Sequence, residues 1–294
     1  MTRRVFGHLY FLTFLNGFLL ASLFYFKMET NYEKELFSAI HSDISSKLKA
    51  TDSQDSIVVK VLHACHNLLI ERETVFEGKP FQGFESDVIA PASMDLMTGR
   101  GACGSFSMVL ARVLQGYKYE VRIAQMKSKG IFAAHNLVEA KTNHGWVVLD
   151  PFFDVYFEKP SHQLASFEDV KENWSYYKSQ LPPGYNMNYD YEDVRYSNWN
   201  KIPIVLPAVK KMLDLTLGKQ VADGISMRTY FLRKYKICYY ITLVFFVLVF
   251  SFTIVKLIKS KVFPQKNIPV TFSNVYKYVR LRFAGKNLPE QRRA

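Results

Sequence analysis

Two long apolar stretches, one near each end, constrain this chain more than any other feature. Residues 5–26 read VFGHLYFLTFLNGFLLASLFYF and residues 237–255 read ICYYITLVFFVLVFSFTIV, neither with an Asp, Glu, Lys or Arg. At about 1.5 Å rise per residue they extend roughly 33 and roughly 28 Å as helices, matching the hydrocarbon core of a bilayer. The second is apolar all round, with Arg233, Lys234 and Lys236 before it and Lys256, Lys259 and Lys261 after it, which is a transmembrane pattern. Arg3 and Arg4 precede the first stretch, as in a signal peptide. Cleavage near Ala21 and Ser22, however, would put a Leu where a small residue is required, and Phe24, Tyr25 and Phe26 follow. An uncleaved anchor fits that grammar better.

The chain of 294 residues therefore divides into an N-terminal anchor at 1–27, a domain at 28–232, a second transmembrane helix at 233–258 and a basic tail at 259–294. The net charge of +12 is unevenly spread. Residues 28–232 hold 22 Lys and Arg against 25 Asp and Glu, whereas the two ends hold 16 basic residues and the single acid Glu290. A mildly acidic body with basic ends speaks for a membrane and against nucleic acid. The Lys/Arg-rich tail points to the cytoplasm, two crossings return the N-terminus to the same side, and the domain then faces outward, which is the periplasm if the cell is Gram-negative. The cluster Arg233, Lys234 and Lys236 on the outer flank runs against that bias without reversing it.

Helical periodicity opens the domain. Leu36, Ile40, Ile44 and Leu48 recur at four-residue steps over 32–48, and Ile57, Val61, Leu62, Cys65, Leu68 and Leu69 line one face of a helix over 53–73 with a cap near Thr51-Asp52. His63, Cys65 and His66 diverge on that helix and do not converge on one ion. Cys65, Cys103 and Cys238 are the only cysteines, too few and too scattered for a disulfide scaffold or a structural zinc site. No cofactor or metal is expected.

Cys103 alone lies among glycines, in Gly101-Ala102-Cys103-Gly104. Phe106, Val109, Leu110, Val113 and Leu114 form a helical stripe, so a helix starts near Gly104 and Cys103 falls at its N-terminus. Unpaired N–H groups and the helix dipole there favour a thiolate and can hold an oxyanion. Two strands follow, 132–140 and 145–150, joined by Lys141-Thr142-Asn143-His144-Gly145. A hairpin centred between Thr142 and Asn143 sets His135 opposite Asp150, and a slip of one or two residues still leaves them cross-strand neighbours. Asp150 then orients an imidazole towards a thiol, as in a catalytic triad.

Arg100-Gly-Ala-Cys103-Gly-Ser-Phe-Ser, Ala134-His135-Asn-Leu-Val-Glu139 and Gly145-Trp-Val-Val-Leu-Asp150-Pro151 together resemble the transglutaminase-like superfamily. The match covers about fifty residues inside 95–160. The resemblance implies an α+β, papain-like core, with the Cys-bearing helix packed on an antiparallel sheet, here flanked by two transmembrane helices. It also implies acyl transfer through a thioester, with Cys103, His135 and Asp150 as the catalytic residues. His135 is followed by Asn136-Leu137 where members often carry an aromatic, no side chain for the oxyanion hole is identifiable, and no acidic calcium-binding loop is evident.

The expected activity is hydrolysis or transamidation of a peptide or isopeptide amide, with a protein or peptide substrate and a membrane, and any further membrane-complex partner, as partners. The alternative is a non-catalytic binding or scaffold module of the same fold. A purely structural role, with Cys103 and His135 as core residues, is the third reading. Glu139 shares a strand face with His135 and either borders the cleft or is an ordinary strand residue. The aromatic stretch from Trp174 to Trp199 either walls a cleft or covers the sheet.

Overall fold

The computed structural model describes residues 9–262, apart from 80, 81, 84, 129 and 190. The N-terminal pair Arg3 and Arg4, the first residues of the leading apolar stretch and the tail beyond 262 lie outside the described residues. Two compact units emerge: Lys27–Ile237, and a second whose described parts are 9–26 and 238–262.

The second unit pairs the apolar parts of two long helices. Helix α1 (Leu9–Ser46) and helix α10 (Lys234–Val262) belong to the two segments long and apolar enough to cross a membrane. Only 11% and 6% of their apolar windows are buried, whereas a core helix of a soluble domain is mostly buried. Asn16 Nδ2 on α1 donates to Thr253 Oγ1 on α10 at 2.9 Å, and Thr253 is buried. The apolar run and the amphipathic stretch that follows it form one uninterrupted helix, because Lys27-Met28-Glu29-Thr30-Asn31 contains neither Gly nor Pro to break it.

The Lys27–Ile237 unit is α+β. A five-stranded antiparallel sheet, ordered β4-β3-β2-β1-β5, is built from β1 (Glu120–Ser128), β2 (Ile131–Thr142), β3 (Gly145–Asp150), β4 (Val155–Tyr156) and β5 (Val194–Arg195). Side chains alternate between its faces. Ile123, Val138, Ala140, Val147 and Leu149 pack with α2 (Gln54–Phe76) and α4 (Cys103–Gly116), through Val61, Leu62 and Cys65 on the former and Phe106, Val109 and Leu110 on the latter. Each fully buried Val, Leu or Ile among them contributes about 1.5–3 kcal/mol. Ala124, Met126, Leu137 and Val148 belong to a second core made with the aromatic segment, including Phe157, Tyr177, Tyr185 and Tyr191. The cap of α2 is Ser53, whose side chain accepts the Ser56 N–H at 3.1 Å.

The β2–β3 hairpin closes on Asn143-His144, with Thr142 opposite Gly145 and Val138 opposite Leu149. This register differs by two residues from one centred between Thr142 and Asn143. Gly145, at φ +111°, takes up a backbone conformation that glycine adopts readily, which suits it to leave the Asn143-His144 turn. A slip of two preserves side-chain parity, so His135 and Asp150 keep the same face but sit diagonally.

Candidate active site

The turn into α4 is held from beneath. Helix α3 (Ala92–Thr98) ends at Gly99, φ +59°, where a Cβ would meet the Glu73 backbone at 3.1 Å. Asp95 on α3 accepts the Ser105 hydroxyl at 2.7 Å, and Ser105 Oγ in turn accepts the Gly101 N–H at 2.9 Å. A Cβ on Gly101 would lie 2.5 Å from that same oxygen. Ala102 follows at φ 44° and ψ −127°, a conformation that costs an L-residue about 1–3 kcal/mol. It is the N-cap of α4 and supplies no side-chain cap, so Cys103 opens the helix where backbone N–H groups are left without intrahelical acceptors. Ser107 donates to the Asn136 carbonyl at 3.2 Å and ties α4 to β2.

His135 and Asp150 are each 1% exposed, whereas Cys103 is partly exposed. His135 Nε2 lies 2.7 Å from Asp150 Oδ2, which leaves Nδ1 as the ring nitrogen that can serve the Cys103 thiol. Burial disfavours charge on His135, but the Asp150 carboxylate, its hydrogen bond and the thiol outweigh it and bring the imidazole to about 9. Burial likewise pushes the Cys103 thiol up. The hydrogen bond and charge of His135, with help from Asn136, overcome this and hold it below the ordinary thiol range. The two shifts run in opposite directions because each group favours the charged form of the other.

Asp150 is saturated with donors. Its Oδ2 also receives the Tyr185 hydroxyl at 3.2 Å, and its Oδ1 the backbone N–H groups of Phe152 and Phe153 at 3.2 and 3.4 Å. Burial and the neighbouring Tyr191 and Asp150 raise the Tyr185 phenol, keeping it a proton donor. Tyr189 stacks on the His135 ring at 4.5 Å and 8°, and Phe153 approaches it at 5.6 Å. The aromatic segment thus both covers the sheet and orients the imidazole.

Two residues that sequence reasoning did not single out complete the arrangement. Asn136 Nδ2 donates to Cys103 Sγ at 3.4 Å, and Arg228 Nη1 donates to Asn136 Oδ1 at 2.6 Å. Arg228 lies on α9 (Met227–Tyr230), beside Ser226, whose hydroxyl binds both the N–H and the carbonyl of Ile123 on β1 at 3.1 and 3.0 Å. The Asn directly after His135, in place of an aromatic, was the available signal for Asn136; nothing in the sequence pointed to Arg228.

The remaining candidates lie apart from the thiol. Glu139 is buried and bidentate with Arg122 at 2.7 and 3.1 Å, while that guanidinium is sandwiched 4.1 Å from both Trp146 and Tyr196. It is a structural ion pair. His63 pairs with Asp154 at 2.7 Å, His66 Nδ1 lies 3.1 Å from the Pro151 carbonyl and Cys65 is core, pushed up to about 12 by burial. His144 occupies the hairpin turn, and His162 is exposed beside a hollow of about 690 Å³ whose lining includes Phe153 but none of Cys103, His135 and Asp150. Among the described residues no cluster of three His, Cys, Asp or Glu is placed to hold a metal.

Comparison of the chain with protein-family models, curated proteins and solved structures gave no match.

Proposed function

We propose that this protein is a membrane-anchored thiol hydrolase or acyltransferase of the transglutaminase-like kind, with a papain-like core, acting on peptide or isopeptide amides. The reading is carried by one observation: a partly exposed thiol held below its usual pKa by an imidazole that a buried, fully hydrogen-bonded carboxylate holds above its own. Opposed shifts of this kind support a nucleophile role for the thiol and an acid–base role for the ring.

In this reaction the Cys103 thiolate attacks the amide carbonyl and its electron pair moves onto oxygen. The oxyanion is met by the backbone N–H at the start of α4 and by Asn136 Nδ2. Collapse breaks the C–N bond, and the His135 imidazolium gives its proton to the leaving amine. The thioester then passes to water or to a second amine, with neutral His135 taking the incoming proton and returning it to the sulfur. Asp150 and Tyr189 keep the ring oriented throughout. We also infer a two-pass topology, with the domain outside and the basic tail in the cytoplasm, from the Lys/Arg distribution.

The test is to incubate the full chain in nanodiscs with glutamine- and isopeptide-containing peptides, with and without a primary amine, and to read Cys103 by mass spectrometry. An acyl adduct on Cys103, absent in Cys103→Ala, is expected, and amine incorporation against free acid separates transfer from hydrolysis. No adduct from any amide on a folded chain would sink the proposal.

A further inference from the structure

Arg112 is out of place for a helix residue facing a core. It lies on α4 between Ala111 and Val113, is 8% exposed, and its Nε is buried without a hydrogen-bond partner. Buried arginines are ordinarily paired. Here the guanidinium carbon lies 5.1 Å above the Phe37 ring, and the residue lines a hollow of about 560 Å³ together with Lys27, Lys34, Arg233, Lys236 and Glu33. Five basic side chains thus face one acid. Glu33 is itself buried and accepts the Ser93 N–H at 3.2 Å, so one carboxylate oxygen is already engaged, and burial raises its pKa. Burial, then the charge of Arg233, lowers Arg112 to about 10. Arg112 thus carries an unsatisfied guanidinium N–H into a hollow with several basic side chains in its lining.

The hollow belongs wholly to the Lys27–Ile237 unit, yet its lining includes the two residues at which the chain meets its apolar stretches. Lys27 directly follows the run ending at Phe26, and Lys236 directly precedes the run starting at Ile237. With those runs in a bilayer, these lysines stand at headgroup level. Guanidinium groups bind phosphate oxygens through paired N–H donors, and lysines add point charge.

We propose that this hollow is a phosphate-binding site built around Arg112, taking the phosphate of an anionic lipid headgroup or of a free phosphate-bearing solute. The proposal is independent of the thiol chemistry. It also gives the basic cluster at 233–236 a ligand to bind on the outward side, where a Lys/Arg bias alone leaves it unexplained.

Arg233 and Lys34 are exposed, so their loss leaves the core intact. The full chain in maltoside micelles is titrated calorimetrically with inorganic phosphate and, separately, with dihexanoyl phosphatidylglycerol, for the wild type and for Lys34→Gln/Arg233→Gln. Binding of at least one probe, weakened tenfold or more in the double variant, is expected. Binding of the lipid alone identifies a headgroup site, binding of phosphate alone a solute site, and displacement of one by the other a shared site. Failure of the wild type to bind either probe, or equal binding by the variant, would overturn the proposal.

Discussion

Arg228 donates its Nη1–H to Asn136 Oδ1 at 2.6 Å, and this bond decides which end of the Asn136 amide meets the Cys103 sulfur. An arginine offers only donors, so the amide oxygen must face it and the NH₂ must face Sγ. The thiol therefore sits beside a fixed donor that is held in place from α9.

If that donor serves the oxyanion, Asn136→Ala lowers kcat about 10²-fold on a reactive peptide amide, with a much smaller change in KM. Arg228→Met leaves the amide free to turn and so lowers kcat too, while raising the pH at which Cys103 alkylates, since a nearby cation is lost. Steady-state kinetics with the alkylation profile separate the two. A pure KM effect in Asn136→Ala would make Asn136 a substrate contact.

The His135–Asp150 pair makes a prediction about stability. The imidazole is raised from 6.5 towards about 9, against the opposing effect of burial, chiefly by the charge of Asp150. A group whose pKa rises on folding contributes stability that is complete below its unfolded value and is lost as pH climbs through its folded value. In Cys103→Ala, where the thiol no longer titrates, the melting temperature should exceed that of Cys103→Ala/His135→Gln most near pH 6. The excess should shrink from about pH 6.5 towards 9. A lead that grows with pH would contradict the pairing.

The approach to Cys103 depends on Ser105. Ser105→Ala removes the donor to half-buried Asp95 and the acceptor for the Gly101 N–H, which predicts a loss of about 1–3 kcal/mol in chemical denaturation. Gly101→Ala places its Cβ 2.5 Å from Ser105 Oγ, and the strain should be at least as costly. Pairing Gly101→Ala with Ser105→Ala should recover part of it. A doubly substituted chain no more stable than Gly101→Ala would show that the clash is elsewhere.

In the helix pair, Asn16 and Thr253 share a hydrogen bond of 2.9 Å in an apolar setting. A double-mutant cycle with Asn16→Ala and Thr253→Val, measured by unfolding in mixed micelles, should give a coupling near 0.6 kcal/mol and no more than about 1.7. Zero coupling would mean that Asn16 is satisfied through its own bond to the Leu12 carbonyl at 2.8 Å.

How much of this was legible beforehand depends on sequence distance. The stripe from Phe106 to Leu114 and the alternating strands carry their own periodicity, so α4 and the β2–β3 hairpin could be read locally, and so could the two membrane-length helices. The hairpin register could not, because the choice between turns centred one residue apart rests on Gly145 adopting a positive φ. The continuity of α1 across Lys27 was missed because composition changes there while the backbone does not. Arg228 reaches Asn136 across 92 residues, and Arg112 meets Lys27 and Arg233 only through tertiary packing. Such long-range polar contacts leave no pattern in a single sequence.

The most direct test of the central claim is the pH dependence of Cys103 alkylation by iodoacetamide in the full chain, followed on the Cys103 peptide and compared with His135→Ala. Cys65 is buried and serves as an internal control. The proposed thiolate–imidazolium pair predicts rapid Cys103 modification well below pH 8, slowed at least tenfold in the variant at the same pH. Slow modification with an ordinary thiol profile in both proteins would contradict it, leaving a membrane-tethered module whose Cys103 does no chemistry.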